Sequence, residues 1–564
     1  MKRALSLFAI YSVAALSLLA QTSVRTEKSE HGMVVSSHSL ASEAGIEIMK
    51  TGGNAIDAAV ATGLALAVVH PAAGNIGGGG FMVIVTKDGK STTIDFREKA
   101  PKFAHENMYL DANGKYIRKS NHEGYRSVGV PGTVAGFDLA LKKYGTRDWK
   151  EVIQPAIRLA DEGFRLSTAL GNDFRGLKND FKKYTSSAKV FLKSDTASYS
   201  EGELWRQPDL ALSLKRIRDD GRNGFYKGKT AHLIADDMKR HGGLITKEDL
   251  AAYRAVERVP IRGTYRGYDV VSMPPPSSGG VGLIEMLNIL EGYDLRSLGH
   301  NSPAYLHLLI EAMRNAYRDR ARFLGDPDFV HAIPLGNLTS KKYAEEIRRS
   351  IDPHRASKSL LEQVAEDAES METTHYSVMD GEGNAVVVTY TLEGWYGSRI
   401  VADGTGILLN NEMGDFNPIP GLTDSTGYIG TRPNLVEPEK RMLSSMTPTI
   451  LLKGGKPWAL IGSIGGRTII NTVLQAVLGL VDYNLPLADA LEAGRIHHQW
   501  FPDEVLVERG FYTPELQKSL EAFGHHPTRS SKLGRMNCIV IDQRTGEREG
   551  VADSRDPDAR AVGY

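Results

Sequence analysis

Apolar positions recur every three to four residues through one long part of the chain and alternate in short paired runs through another. The segment MVVSSHSLASEAGIEIMKTGGNAIDAAVATGLALAVVHP, residues 33–71, reads as a strand, an amphipathic helix broken at Gly52 and Gly53, and an Ala-rich buried helix ending before Pro71. A glycine run, residues 77–80, then feeds a strand, an Asp88–Gly89 turn and a second strand, the pattern of a hairpin. Residues 121–350 read as mainly helical, with VIQPAIRLADEGF, TAHLIADDMKRHGG and SPAYLHLLIEAMRNAYRDRARFLG carrying the period, and MPPPSSGG at 273–280 interrupting as a stiff loop. The charged stretch DPHRASKSLLEQVAEDAES, 352–370, reads as a mobile connector. Beyond it come paired strands: THYSVMD with AVVVTYTLE, PTILL with WALIGS, and NCIVIDQ with REGVAD, separated by the helical pieces IINTVLQAVLGLVDY and PLADALEAG. Helices outside and hairpins inside predict a layered α+β sandwich with no internal repeat.

A chain of 564 residues, 41% of them hydrophobic, can bury a large core and spans about two to four domain-sized units. Its 68 Lys and Arg balance 68 Asp and Glu, so no long-range field draws it to nucleic acid or an anionic membrane. Small molecules remain as ligands. Lys2 and Arg3 precede an apolar run over residues 4–20, the layout of a secretory signal peptide, which predicts a periplasmic or secreted protein with no membrane span once residues 1–20 are removed. The lone Cys538 excludes an internal disulfide and a Cys-based zinc site. His497–His498 and His525–His526 are adjacent pairs, unlike the i, i+4 spacing of helix-borne ligands, so no metal is expected. The 77–80 glycine run precedes a strand where a phosphate loop precedes a helix, and Gly89-Lys90-Ser91 has Ile84 where a P-loop needs glycine. Nucleotide binding is set aside.

The first C-terminal hairpin carries the chemistry. Centred on the loop Gly381–Glu382–Gly383, antiparallel pairing sets Thr373 opposite Thr391 on one face. A free amino group on Thr373 would be a built-in general base for its own hydroxyl, with a reference pKa of about 7.7–8.0, and Thr391 would orient the pair. That arrangement requires a cut between Glu372 and Thr373, which the Thr373 hydroxyl can itself make by attacking the Glu372 carbonyl. No G-x-S-x-G elbow surrounds Ser463, which leaves it a poor rival nucleophile.

TTHYSVMDGEGNAVVVTYTLEG closely resembles the start of the small subunit of the γ-glutamyltranspeptidases. HPAAGNIGGGGFM, IDFREKAP, GVPGTVAGF, GGLITKEDLAAY, SMPPPSSGG, FLGDPDF, GILLNNEMGDF, KRMLSSMTPT and GSIGGRTIINTVLQ resemble that family's blocks in that family's order, over nearly everything after the leader. The resemblance implies a four-layer αββα fold of the N-terminal nucleophile hydrolase type. One precursor would cleave itself into a large fragment, 21–372, and a small catalytic fragment, 373–564, that stay together as a heterodimer. Thr373 would be processing residue and nucleophile, passing the γ-glutamyl group of glutathione or a related donor to water or to an amino acid or peptide amine. Arg97, whose planar fork suits a carboxylate, would hold the donor's α-carboxylate with Ser444 and Ser445. The backbone of Gly465 and Gly466 would form the oxyanion hole, and Asp415 would pair with the donor's α-ammonium. Glu393 and Glu412 stand where many members carry Asn and Gln, so three acids surround one ammonium and at least one of them should have a raised pKa. Residues 420–440 occupy the place of the lid loop, with Tyr428 as its gate. No cofactor is implied.

Two rivals share parts of this pattern. A β-lactam side-chain acylase or a poly-γ-glutamate-processing enzyme of the same superfamily would keep the processing threonine and differ around the donor pocket. A processed but inactive exported binding protein is a different class, and the intact Thr373, Thr391, Gly465 and Gly466 speak against it.

Overall fold

The computed structural model describes residues 25–360, 373–422, 424 and 430–564. The leader, Glu372 and Tyr428 lie outside the described residues. Two sheets form the centre. One runs Arg560–Gly563, Met33–Ser36, Thr374–Met379, Ala385–Thr391, Gly79–Val85, Ser91–Asp95 and Val256–Arg258 in spatial order. The other runs Thr26–Ser29, Arg548–Ala552, Arg535–Ile541, Lys456–Ile461, Thr449–Lys453, Tyr268–Ser272 and Ile261–Tyr265, with Ser463–Ile464 pairing Arg535–Ile541 from the side. Both sheets contain strands from before and after Thr373, so each sheet is a joint product of the two expected fragments.

Alternation along the strands explains the layering. In Ala385–Thr391, Ala385 and Val387 join a core that continues through the second sheet to the helices Gly279–Leu290, Pro303–Phe323 and Thr468–Val481. Val386 and Val388 point the other way, into the core under Ser39–Lys50 and Ala55–Val69. A strand with both faces buried reads as a nearly continuous apolar run, as AVVVTYT does. The result is helices, sheet, sheet, helices: the αββα sandwich. Across the sheet interface the Ser377 hydroxyl donates to Asn537 O (2.8 Å), and Asn537 Nδ2 donates to His375 O (2.9 Å).

The helix break at Gly52–Gly53 and the strand after the glycine run are as expected. Asn54 caps Ala55–Val69 in a capping box with Asp57, so the Gly52–Gly53 break is followed by a strong helix start. The glycine run serves close backbone approach: a Cβ on Gly79 would lie 2.4 Å from Phe96 O, and one on Gly80 2.4 Å from Thr389 O.

The stretch 121–350 is mainly helical as expected, and Val256–Arg258, Ile261–Tyr265 and Tyr268–Ser272 add strands to the two sheets within it. The last two are joined through Arg266 (φ 48°) and Gly267 (φ 85°), and positive φ at both turn positions suits the twist of a tight hairpin. One expectation fails: the first part of the 352–370 connector is not loose. Ala356 N donates to Phe523 O (2.7 Å), Ser359 N to Asp503 Oδ2 (2.9 Å) and the Ser359 hydroxyl to Trp500 O (2.7 Å).

Candidate active site

The hairpin has the predicted register. Thr374 pairs with Tyr390, Tyr376 with Val388 and Met379 with Ala385, and one further step sets Thr373 across from Thr391. The turn is fixed by Asp380, whose carboxylate accepts from the backbone N–H of Glu382 (3.0 Å), Gly383 (3.0 Å) and Asn384 (2.9 Å). Thr373 and Thr391 are buried, 3% and 2% exposed. The Thr391 hydroxyl accepts from Glu393 N (2.9 Å), an interaction that fixes its rotamer at the end of the strand.

Both threonines line a pocket of about 250 Å³ together with Arg97, Glu393, Glu412, Asp415, Ser444, Ser445, Met446, Gly466 and Ile469. Residues drawn from six separated blocks of the sequence converge on one cleft. Gly465 sits beside it, in the turn that opens Thr468–Val481. Its φ is 126° and that of Gly466 is 54°, and a Cβ on Gly465 would meet Thr468 Oγ1 at 2.5 Å. Only glycine fits there without strain.

Arg97 follows the strand Ser91–Asp95 and is fully buried. Its two terminal nitrogens donate to Glu412 Oε1 and Asp415 Oδ2, its Nε donates to Met442 O (3.3 Å), and Glu98 Oε2 lies 3.7 Å away. Burial opposes its charge, but Glu412, Asp415 and Glu98 outweigh that and raise its pKa above the ordinary value. Arg97 and Asp415, assigned to opposite ends of a bound amino acid, therefore meet each other directly.

Glu98 is a site residue that sequence reasoning missed, although it stands next to Arg97 in IDFREKAP. Neither of its carboxylate oxygens has a hydrogen-bond partner. Burial raises its pKa to about 7, against the pull of Arg97. Burial likewise drives Glu412 well above the carboxylate range, with Glu98 and Glu393 adding to the rise, so the expected upward shift falls on Glu412. Glu393, at φ 76°, accepts from Asn411 Nδ2 and lies 3.2 Å from His122 Nδ1, a second neighbour with no local signal in its own segment.

The Glu98 shift has a consequence for stability. Between about pH 4.5 and 7 the folded form holds a proton on Glu98 that the unfolded chain has released, so this residue makes stability fall as pH rises through that window. Glu98→Gln should flatten the decline, read as melting temperature against pH. An identical slope in both proteins would contradict the assignment.

Support for the serines comes from the proline-rich loop. Ser278 N and its hydroxyl both donate to Ser444 O (2.7 Å each), and Ser444 N donates to Pro276 O (2.9 Å). Arg320 bridges the two, with Nε to Ser278 Oγ (2.9 Å) and Nη2 to Ser445 Oγ (3.2 Å). The stiff MPPPSSGG loop is thus a template for the serine segment. Ser463 is no competitor: its hydroxyl donates to Ile464 O (2.9 Å) and Arg535 O (3.1 Å).

Sequence comparison agrees with this geometry. The family model described as Gamma-glutamyltranspeptidase matches residues 41–563. The chain belongs to the gamma-glutamyltranspeptidase family. The glutathione hydrolase proenzyme of Escherichia coli (strain K12) is 47% identical over 539 residues, 95% of this chain and 92% of that protein. Among solved structures, the gamma-glutamyltranspeptidase of Helicobacter pylori is 50% identical over 57% of this chain and 91% of its own, with a TM-score of 0.56. A cephalosporin acylase from Bacillus halodurans superposes with a TM-score of 0.84 at 29% identity, covering 96% of this chain and 97% of that one. The four-layer N-terminal nucleophile hydrolase fold is common to both activities.

Proposed function

We propose that the protein is a self-processing γ-glutamyltransferase and glutathione hydrolase whose large fragment is 21–372 and whose small fragment is 373–564. The observation that carries this reading is the hairpin register, which sets Thr373 against Thr391 in the pocket shared with Arg97, Asp415 and the two serines. In processing, Thr373 Oγ attacks the Glu372 carbonyl carbon, the peptide nitrogen leaves as the amine, and water opens the resulting ester. The new amine then takes the proton from Thr373 Oγ as that oxygen attacks the γ-carbonyl carbon of the donor. The N–H groups of Gly465 and Gly466 hold the oxyanion, worth about 3–4 kcal/mol for each well-aimed donor. Collapse expels the leaving amine with a proton, and water or an acceptor amine releases the glutamyl ester, giving ping-pong kinetics.

The donor's α-carboxylate would dock against Arg97, Ser444 and Ser445, and its α-ammonium against Asp415, Glu412 and Glu393. No step needs a cofactor. The leader supports export to the periplasm or medium, and among the described residues no helix is long and apolar enough to cross a membrane.

The acylase reading shares the fold but not the requirement for an α-ammonium. Release of 4-nitroaniline from γ-glutamyl-4-nitroanilide should exceed that from the glutaryl analogue, which lacks the α-amino group, by about ten- to a hundredfold in kcat/KM, the scale of one charged hydrogen bond. Faster turnover of the glutaryl compound would favour the acylase.

A further inference from the structure

Away from the donor pocket, His307, Glu311 and His525 bring one ligand atom each to within 4.8 Å of one another in the buried interior. We propose that they form a divalent-cation site, suited to Zn²⁺, that ties the large fragment to the small one. The ion-binding claim stands on these three residues alone. The tie between fragments rests also on the processing reading above.

His307 and Glu311 lie one turn apart on Pro303–Phe323 and share a face. His525 follows Gly524, which ends Pro514–Phe523 in the left-handed conformation (φ 97°). His307 Nε2 lies 2.8 Å from Asp352 O, and a carbonyl only accepts, so the proton sits on Nε2 and His307 Nδ1 presents a lone pair. This is the outer hydrogen bond that orients a metal-ligating imidazole. The Phe523 ring stacks on the imidazole at 4.5 Å and 11°, holding its plane. His307 Nδ1 faces His525 Nε2 at 2.8 Å.

Two buried acceptors remain unsatisfied by protein. Glu311 Oε1 takes Ser357 N (3.2 Å) and Arg314 Nε (3.4 Å), but Glu311 Oε2 has no hydrogen-bond partner, and neither does His525 Nδ1. A cation satisfies the Glu311 carboxylate oxygen. The His525 proton moves from Nε2 to Nδ1, which frees the Nε2 lone pair, and the ion takes His307 Nδ1, His525 Nε2 and the Glu311 carboxylate. No proton is released from the rings. The nitrogens must open from 2.8 Å to roughly 3.3 Å to suit Zn–N bonds of about 2.0–2.1 Å in a tetrahedral shell. Two imidazoles and one carboxylate suit Zn²⁺ and disfavour the oxygen-seeking Ca²⁺ and Mg²⁺.

The test uses purified protein stripped with a chelator, reloaded with Zn²⁺ or Co²⁺ and desalted. Wild type and His526→Ala, which changes the exposed neighbour, should each retain one zinc per chain equivalent and show the visible bands of four-coordinate Co²⁺. His525→Ala and Glu311→Gln should bind at least a hundredfold more weakly. Wild type retaining no more zinc than His525→Ala, or showing no Co²⁺ bands, would overturn the site even if a variant folds poorly. Uncut Thr373→Ala protein should bind the same single zinc, which separates failure of the site from failure of processing. In cut protein, chelation should lower the temperature at which the fragments part; no change there would overturn the clamp.

Discussion

Thr373→Ala should yield one uncut chain on a denaturing gel, where wild type gives two fragments, and its γ-glutamyl transfer should fall by about 10⁵–10⁶-fold, the scale on which hydrolases lose activity with their nucleophile. The size of the effect follows from geometry. Thr373 supplies the oxygen for both the processing ester and the glutamyl ester, and the amine that accepts its proton exists only after the cut. Thr391 cannot substitute, because its hydroxyl is engaged by Glu393 N and its residue lies mid-chain with no free amine. Thr373→Ser keeps the hydroxyl and should still be cut. Two bands of unchanged size in the alanine variant would refute self-processing by this residue.

Arg97→Lys should lower kcat/KM for γ-glutamyl-4-nitroanilide by about two to three orders of magnitude, mostly through KM, while leaving the protein processed. Removing one partner of a buried hydrogen-bonded charge pair costs about 2–5 kcal/mol, and each 1.4 kcal/mol is tenfold. Lysine keeps the charge that Glu98, Glu412 and Asp415 require but loses the planar fork that now spans Glu412 and Asp415. Arg97→Gln should be worse in a different way, since three acids would then be buried without their cation, and its melting temperature should drop as well. A lysine variant with wild-type KM would remove Arg97 from the donor site. The separation of the two effects matters because Arg97 both neutralises the pocket and recognises the substrate.

Much of this architecture was legible from local pattern. The hairpin register followed from one glycine-bounded loop and the period of two, and the helices Ala55–Val69 and Thr468–Val481 follow from equally local rules. What escaped were relations between distant residues. Arg97 and Glu412 are 315 positions apart, and nothing in either neighbourhood announces that they touch. Glu98 stands in the polar run REK, and only the folded chain reveals that it is fully buried. His122 reaches Glu393 from a turn whose sequence carries no periodic signal. The edge strands between 256 and 272 were lost inside a region whose dominant period is helical, although VERVPIRGTYRGYDVVS holds β-branched residues around a glycine turn. The MPPPSSGG loop announced stiffness but not its partner, since Ser278 and Ser444 meet only in the folded chain.

The most direct measurement is amino-terminal sequencing of the smaller fragment from fully active enzyme. The account predicts a start at Thr373 and a reading of Thr-Thr-His-Tyr-Ser. Any other first residue would contradict it, because the base and the nucleophile would then no longer belong to one amino acid.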